Sequence, residues 1–296
     1  MNSPRQKDKE ISALDEMFGA SRRYRSSREY MELMRFITRF RQYAPFNCLL
    51  LHIQNPDVTY VASTSDWKGK FNRHPKRDAR PLVILQTFGP VMFVYDLQDT
   101  EGAPMPEGLL KPFKTIGVLP EIVMEQTIHN CGVHGIDVRE DLKGLFGAGK
   151  AIRLTSAARR FYKDLGLSPG SAYLVLLNRN HSIEEQYSTL AHELGHIFCG
   201  HLGADSLSWW DSRIGGSAGV EEIEAESVAY LVCMRQGLEV NSDRYLSSYR
   251  TPDDMQLPFF GLNAVLLATD YIEKMGERKW KKPLKKPKAQ AQGARR

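Results

Sequence analysis

The stretch His192-Glu193-Leu194-Gly195-His196 sets two imidazoles four residues apart with a carboxylate beside the first. On a helix, positions i and i+4 are offset by only about 40°, so both rings project from one face. At that spacing two neutral imidazole nitrogens can grip one tetrahedral zinc ion. Glu193 can then accept a proton from a water activated at the ion and pass it to a leaving amine, which is the chemistry of peptide-bond hydrolysis. A catalytic zinc needs a third protein ligand and one open position. The run Glu221-Glu222-Ile223-Glu224-Ala225-Glu226-Ser227 offers that ligand. Glu222 and Glu226 are four apart; Glu222 is read as the ligand and Glu226 as the group that orients a histidine by accepting its second N–H. Val228, Leu231 and Val232 follow, so this helix reads as packed rather than as a free acidic surface. Tyr230 and His181 are the candidate donors to a developing oxyanion. A longer pattern, H-E-x-x-H-x-x-G-x-x-H, would supply a third histidine ligand. Here Cys199 and Leu202 stand where Gly and His are required, and Gly200 and His201 are each one position out of register, so His201 is placed at the rim of the site or in a structural role.

The elements that must hold these residues can be read from periodicity. Ala172 to Asn178 is the clearest strand, after a short strand at Ile152–Leu154 and a helix over Ala157–Leu165 closed by Gly166. Ser182 and Glu185 form a capping box for a helix running through the His192–His196 motif to about Leu202. Further helices are expected over 220–236, ended by Gly237, and over 262–275, with another within Lys111–Cys131. In the front half, spacings of three and four predict helix over 10–43, and Pro45 closes that region. A buried helix follows over Asn47–Gln54, with strands at Thr59–Ala62, Pro81–Gln86 and, after a Gly89-Pro90 turn, Val91–Tyr95. The loop around Gly102, Pro104, Pro106 and Gly108 is read as a domain boundary.

Charge is unevenly spread along the 296 residues. The net charge of +5 resolves into +7 over residues 1–80, −11 over 81–273 and +9 over 274–296. The last segment, with Lys281-Lys282-Pro283-Leu284-Lys285-Lys286-Pro287-Lys288, has no apolar periodicity and is expected to be disordered from about 279. The basic front interleaves arginines with aromatic rings, the ingredients of single-strand binding. The plainer reading of the same residues is an amphipathic helix with its aromatics in the core. With 42% hydrophobic and 25% charged residues the chain is that of a globular protein. No apolar run is long enough to span a membrane. The polar N-terminus has no signal core, and Cys48, Cys131, Cys199 and Cys233 form no CxxC pair, so a reduced, cytoplasmic protein is expected.

Two apparent motifs are set aside. Gly144 to Ala151 approaches a phosphate-binding loop but has Ala151 in place of Ser/Thr, and the preceding Asp137–Lys143 reads as too charged for a buried strand. His129, Cys131 and His134 match no standard metal spacing.

Two resemblances gather these readings. Leu177-Asn178, Ser182, Thr189-Leu190-Ala191, the His192–His196 motif and Glu222 to Tyr230 resemble the ImmA/IrrE metallopeptidases and the related C-terminal domain of ArdC-type antirestriction proteins. Phe46-Asn47, Leu49-Leu50, Gln54 to Ala62, Trp67, Val94-Tyr95-Asp96-Leu97, Thr100-Glu101-Gly102 and Pro104 resemble the N-terminal domain of the ArdC type. The likeness departs at Phe71–Arg80, which keeps the charge of the family's turn but not its glycines. The resemblance implies an α+β chain: a small DNA-binding-type domain over 10–108, a zincin-like metallopeptidase domain over 109–278, and a basic tail over 279–296. It implies Zn2+ as cofactor, a protein or peptide substrate, and single-stranded DNA as a partner of Arg39, Arg41, Asn47, Trp67, Lys68, Lys70 and Arg73. The other function it implies is DNA protection against restriction, with zinc only structural.

Overall fold

A computed structural model describes residues 27–86, 89–105, 117–141, 149–205, 208–238 and 260–283. The chain divides into two compact units, parted between Lys114 and Thr115. The boundary expected near 108 lies outside the described residues. Together the units are α+β, with helices and small sheets.

The first unit starts with α1 (Ser27–Arg39), which buries Tyr30, Leu33, Met34, Phe36 and Ile37 on one face. The expected helix therefore stops at Arg39 rather than 43, and its portion before 27 lies outside the described residues. Pro45 begins α2 (Pro45–Gln54), where its missing N–H costs nothing because the first N–H groups of a helix have no partner. Strands β1 (Val61–Ala62), β3 (Leu82–Gln86) and β4 (Gly89–Asp96) form an antiparallel sheet in the order β1-β4-β3. Gln86 pairs with Gly89, so Gly89 and Pro90 open β4 instead of forming the turn expected there. Strands β2 (Arg73–Pro75) and β5 (Thr100–Gly102) form a separate ribbon. Sequence reading missed α3 (Thr64–Phe71), which Ser63 caps through the N–H of Asp66 and Asn72 closes at φ 50°.

The open edge of β3 is covered by side chains of α2. The Asn47 amide donates to the Leu85 carbonyl at 3.0 Å and accepts its N–H at 2.9 Å. Two helical turns on, the Gln54 amide does the same for Val83, at 2.8 and 2.9 Å. An edge strand leaves alternate backbone groups unpaired, and here two amides substitute for the missing neighbour.

The second unit is built on β8 (Tyr173–Asn178), central in a three-stranded sheet and buried from Tyr173 to Leu177. Strand β6 (Ile136–Asp141) runs parallel to it and β7 (Gly149–Arg153) antiparallel. The charge of Asp137–Asp141 thus does not prevent a strand. Asp137 is buried but satisfied by the Ser168 N–H and hydroxyl and by Arg139. What rules out a phosphate loop is that Gly149 opens a strand, whereas that loop must open a helix. Between β7 and β8 lie a short helix, α5 (Ser156–Phe161), and a 3-10 turn over 163–165 closed by Gly166.

Helices α4 (Glu121–Val133), α6 (Ile183–Phe198), α7 (Ala218–Gln236) and α8 (Leu262–Glu277) complete this unit. The helix through the His192–His196 motif ends at Phe198, short of the expected 202. Trp280 is buried, and its N–H donates to Asn130, so the chain stays packed beyond the expected limit at 279; residues 284–296 lie outside the described set. Asn130 also donates to the Met275 and Arg278 carbonyls, binding the end of α8 to α4. His129, Cys131 and His134 do not converge: His129 meets the Trp280 carbonyl, Cys131 is buried, and His134 meets the Tyr271 hydroxyl at 2.9 Å.

His134 lies against Phe198, Tyr271 and Trp280, and burial lowers its pKa from 6.5 to about 4. Between those two values the unfolded chain binds a proton that the folded chain does not, so stability is full above pH 6.5 and falls as pH drops toward 4. The loss is on the order of 3 kcal/mol. Urea unfolding from pH 7 to 4 should show it, and His134→Asn should flatten the slope in that window.

Candidate metal centre

Helix α6 begins at the predicted capping box: Ser182 accepts the Glu185 N–H, and Glu185 accepts the Ser182 N–H. One turn face then carries His192 and His196 toward α7. The two helices approach closely because residue 195 is glycine. A Cβ there would lie 3.0 Å from the Cα and 3.2 Å from the carbonyl oxygen of Ala225. That approach brings Glu222 and Glu226 of α7 up to the histidines.

His192 Nε2 and His196 Nε2 lie 3.2 Å apart. Glu222 Oε2 is 3.5 Å from the first and its Oε1 is 3.4 Å from the second. Ligand atoms at 2.0–2.1 Å in a tetrahedral shell stand about 3.3 Å from one another; the two nitrogens meet that spacing and each lies near it from one oxygen of Glu222, so the three side chains fit zinc. Two imidazoles and one carboxylate form a donor set that leaves the fourth position for water or substrate. His192 Nδ1 lies 3.2 Å from Glu226 Oε2, which turns the other ring nitrogen toward the shared point.

Electrostatics agree with that use. Burial works against a charged His192, but hydrogen bonds to Glu222 and Glu226 outweigh it and hold the pKa at about 9. Burial and the neighbouring His192 charge push His196 down, because two imidazolium rings this close cannot coexist. The hydrogen bond to His192 keeps Glu222 ionised. A cation entering the triangle therefore displaces one proton.

Glu193 points to the other side, toward the sheet. It is 8% exposed, and its Oε2 accepts the Ala151 N–H of β7 at 2.6 Å. Burial raises its pKa, opposed by His192 and by the Ala151 hydrogen bond, so the carboxylate is a stronger base than an exposed one. Gly149 lets β7 come this near: a Cβ there would fall 2.4 Å from Thr189 Cγ2 and 2.8 Å from the Leu176 carbonyl oxygen.

Sequence reasoning placed His201 at the rim or in a structural role, but did not find its link to His196 or to Glu224. His201 is buried, and its Nδ1 is 3.0 Å from His196 Nδ1. Its Nε2 is 2.8 Å from Glu224, which is fully buried. Burial alone would raise the Glu224 carboxyl, but His201, Arg213 and the Gly261 N–H hold it down at about 2. The signal that could have found this is Gly200. At φ 85° it turns the chain after Cys199, so that the His201 N–H reaches back to the His196 carbonyl.

The two oxyanion candidates stand apart from the triangle. His181 precedes the first turn of α6, and the helical rise from Ile183 to His192 is about 13 Å. Tyr230 is buried on α7, about 12 Å of rise beyond Glu222.

The predicted DNA contacts in the first unit separate into two groups. Trp67 is fully buried and donates its indole N–H to the Tyr95 carbonyl, so it cannot stack on a base. Asn47 is committed to Leu85. Arg73 is committed to the Thr100 hydroxyl and carbonyl and to the Ala103 carbonyl. Arg39 is exposed and lies over the Phe36 and Phe40 rings, Lys68 is exposed, Lys70 pairs with Asp66 at 2.8 Å, and Arg41 is half-buried.

Residues 131–237, from the end of α4 through α7, match the family model described as Peptidase_M78, IrrE N-terminal-like domain. The matched segment contains all three residues of the triangle, and this similarity supports a metallopeptidase that uses a metal. The match does not extend to residues 1–130. No curated protein and no solved structure matches the chain.

The contact at Gly149 is open to direct measurement. Gly149→Ala should push β7 off Thr189, costing about 1–3 kcal/mol in urea unfolding, the usual range for overpacking. Amide exchange at Ala151 should quicken as its hydrogen bond to Glu193 lengthens; an unchanged rate would show that β7 does not depend on the glycine.

Proposed function

We propose that this chain is a zinc-dependent metalloendopeptidase of the ImmA/IrrE type that cleaves an intracellular regulatory protein in the cytoplasm, with the first unit binding single-stranded DNA. One observation carries the hydrolase reading: two nitrogens of His192 and His196 and the carboxylate of Glu222 converge within reach of one metal ion, with Glu193 beside them and not among them. When bound, zinc would supply Lewis acidity, polarising a carbonyl and acidifying a water. The remaining steps belong to the protein. Glu193, buried and raised in basicity, takes the water proton and delivers it to the leaving nitrogen. The Ala151 N–H holds Oε2 and so restrains the rotation of the carboxylate. Glu226, at Nδ1, holds His192 in the orientation that the ion requires. Strand β7 has no second strand neighbour among the described residues, and its Ala151 N–H points outward toward Glu193. An extended peptide pairing along that edge would run past the base.

The alternative is DNA protection with a structural zinc. A structural site is closed by four protein ligands. The described residues bring three to this point, and the neighbouring carboxylate of Glu193 is turned to a backbone N–H instead. That arrangement favours catalysis. For DNA, the exposed Arg39 and Lys68 remain as contacts, with Arg41 and Lys70 beside them in sequence; Trp67, Asn47 and Arg73 act in the fold. No described helix is long and apolar enough to cross a membrane.

Metal analysis decides the first part. Glu193→Ala should retain zinc at the native ratio and lose cleavage by at least 10²-fold, the scale of general-base loss. His192→Ala should lose the metal itself. DNA protection that survives Glu193→Ala, with no protein cleaved in cells, would favour the alternative. In the first unit, Arg39→Ala with Lys68→Ala should weaken single-strand binding and lower its salt slope by about two. Trp67→Ala should instead cost about 3–5 kcal/mol of stability, a core effect.

A further inference from the structure

The two ligand histidines have unlike supports. His192 meets a carboxylate directly, at Glu226. His196 meets a second imidazole, and only behind it a carboxylate, at Glu224. Glu224 in turn is held at both oxygens: Arg213 takes Oε2 at 2.5 Å and Oε1 at 2.7 Å, and the Gly261 N–H takes Oε1 at 2.5 Å. We propose that His201 is a positioning residue for the metal site, the middle link of a relay from His196 through His201 to Glu224 that fixes which nitrogen of His196 faces the ion. The proposal rests on the zinc reading above and extends it to residues that bind no substrate.

The geometry leaves one consistent arrangement of hydrogens. With Nε2 of His196 turned to the metal point, its Nδ1 carries the hydrogen and donates. His201 Nδ1 must then accept, so its hydrogen sits on Nε2 and is donated to Glu224. A carboxylate so fully occupied cannot rotate away, so His201 is locked in that tautomer and His196 with it. Backbone geometry supports the same end. Gly200 would carry a Cβ 2.1 Å from the Asp211 carbonyl oxygen and 3.3 Å from the Arg213 nitrogen, so the turn that returns His201 also seats the Arg213 loop. Gly261, the residue before α8, lies against the Arg213 guanidinium, where a Cβ would come within 2.9 Å. Three separate chain segments thus close on one carboxylate.

Cys199, His201 and Glu224 also lie close enough together to suggest a second metal site. The occupancy of their atoms argues against it. Both nitrogens of His201 are engaged, both oxygens of Glu224 bind Arg213, and a guanidinium in direct contact repels a cation. Burial also pushes the Cys199 thiol up, away from the thiolate a metal requires.

Two amide replacements separate positioning from mere packing. The Asn side chain places a polar atom near where Nδ1 of histidine stood, so His201→Asn can still accept from His196 but loses Glu224. The longer Gln reaches the position of Nε2, so His201→Gln keeps Glu224 but loses His196. Zinc affinity by chelator competition, and the visible spectrum of the cobalt-substituted protein, are read on the full chain beside thermal unfolding of the metal-free forms. The relay predicts that Gln weakens zinc about 10–100-fold and shifts the cobalt bands, while Asn stays within several-fold of native. A Gln variant that binds zinc as tightly as Asn, or tighter, would overturn the proposal and leave His201 as a support for Glu224. A native protein that binds no zinc would overturn the zinc reading and this relay together. Similar unfolding temperatures for the two metal-free variants, with different zinc affinities, are the result expected.

Discussion

The close passage of α6 over α7 at Gly195 and Ala225 is the constraint on which the site depends. Glu222 lies in the first turns of one helix and the histidines in the last turns of the other, so three donor atoms meet only if the helix axes come nearer than ordinary side chains allow. Gly195 removes the obstacle, and Ala225 and Val228 fill the space against it. A glycine inside a helix costs roughly 1 kcal/mol relative to alanine. Here that cost permits two imidazoles and a carboxylate from different helices to meet.

From this contact the roles of the surrounding elements follow. The sheet supplies β7, whose own glycine lets it come against Thr189 and offer a backbone N–H to Glu193. The turn after α6 sends His201 back beneath His196, and the loop after it carries Arg213 to Glu224. Glu193 thus leans on the sheet, and His196 leans on a buried charge network. Burying Glu224 without partners would be costly, and four hydrogen bonds from three segments offset that cost.

The first unit makes the converse point about composition. Its arginines and aromatics suggested a nucleic-acid surface, yet the rings of Trp67, Phe36 and Phe40 are buried and Arg73 binds carbonyls of its own chain. Aromatic residues contribute most where they bury their area, and an arginine fork satisfies backbone carbonyls as readily as phosphates. Asn47, prominent in the front motif, acts on the edge of β3. Its place in the pattern reflects a strand that needs covering.

The sequence alone was enough for whatever depends on local spacing. The histidine pair on one helical face and the paired Glu222 and Glu226 follow from helical spacing, the capping box at Ser182 and Glu185 from cap chemistry, and the central strand at 173–178 from an unbroken apolar run. Only the tertiary structure could decide which groups from distant segments meet. The Ala151 N–H lies 42 residues from Glu193, and Gly261 lies 37 from Glu224. The charged β6 became a strand because Ser168 satisfies its buried aspartate, and His201, expected at the rim or in a structural role, lies under His196 because a positive φ at Gly200 turns the chain there. Short-range patterns are written in the order of residues. Long-range hydrogen bonds depend on how far helices and strands are allowed to approach, and at Gly149 and Gly195 that distance is set by the absence of a side chain.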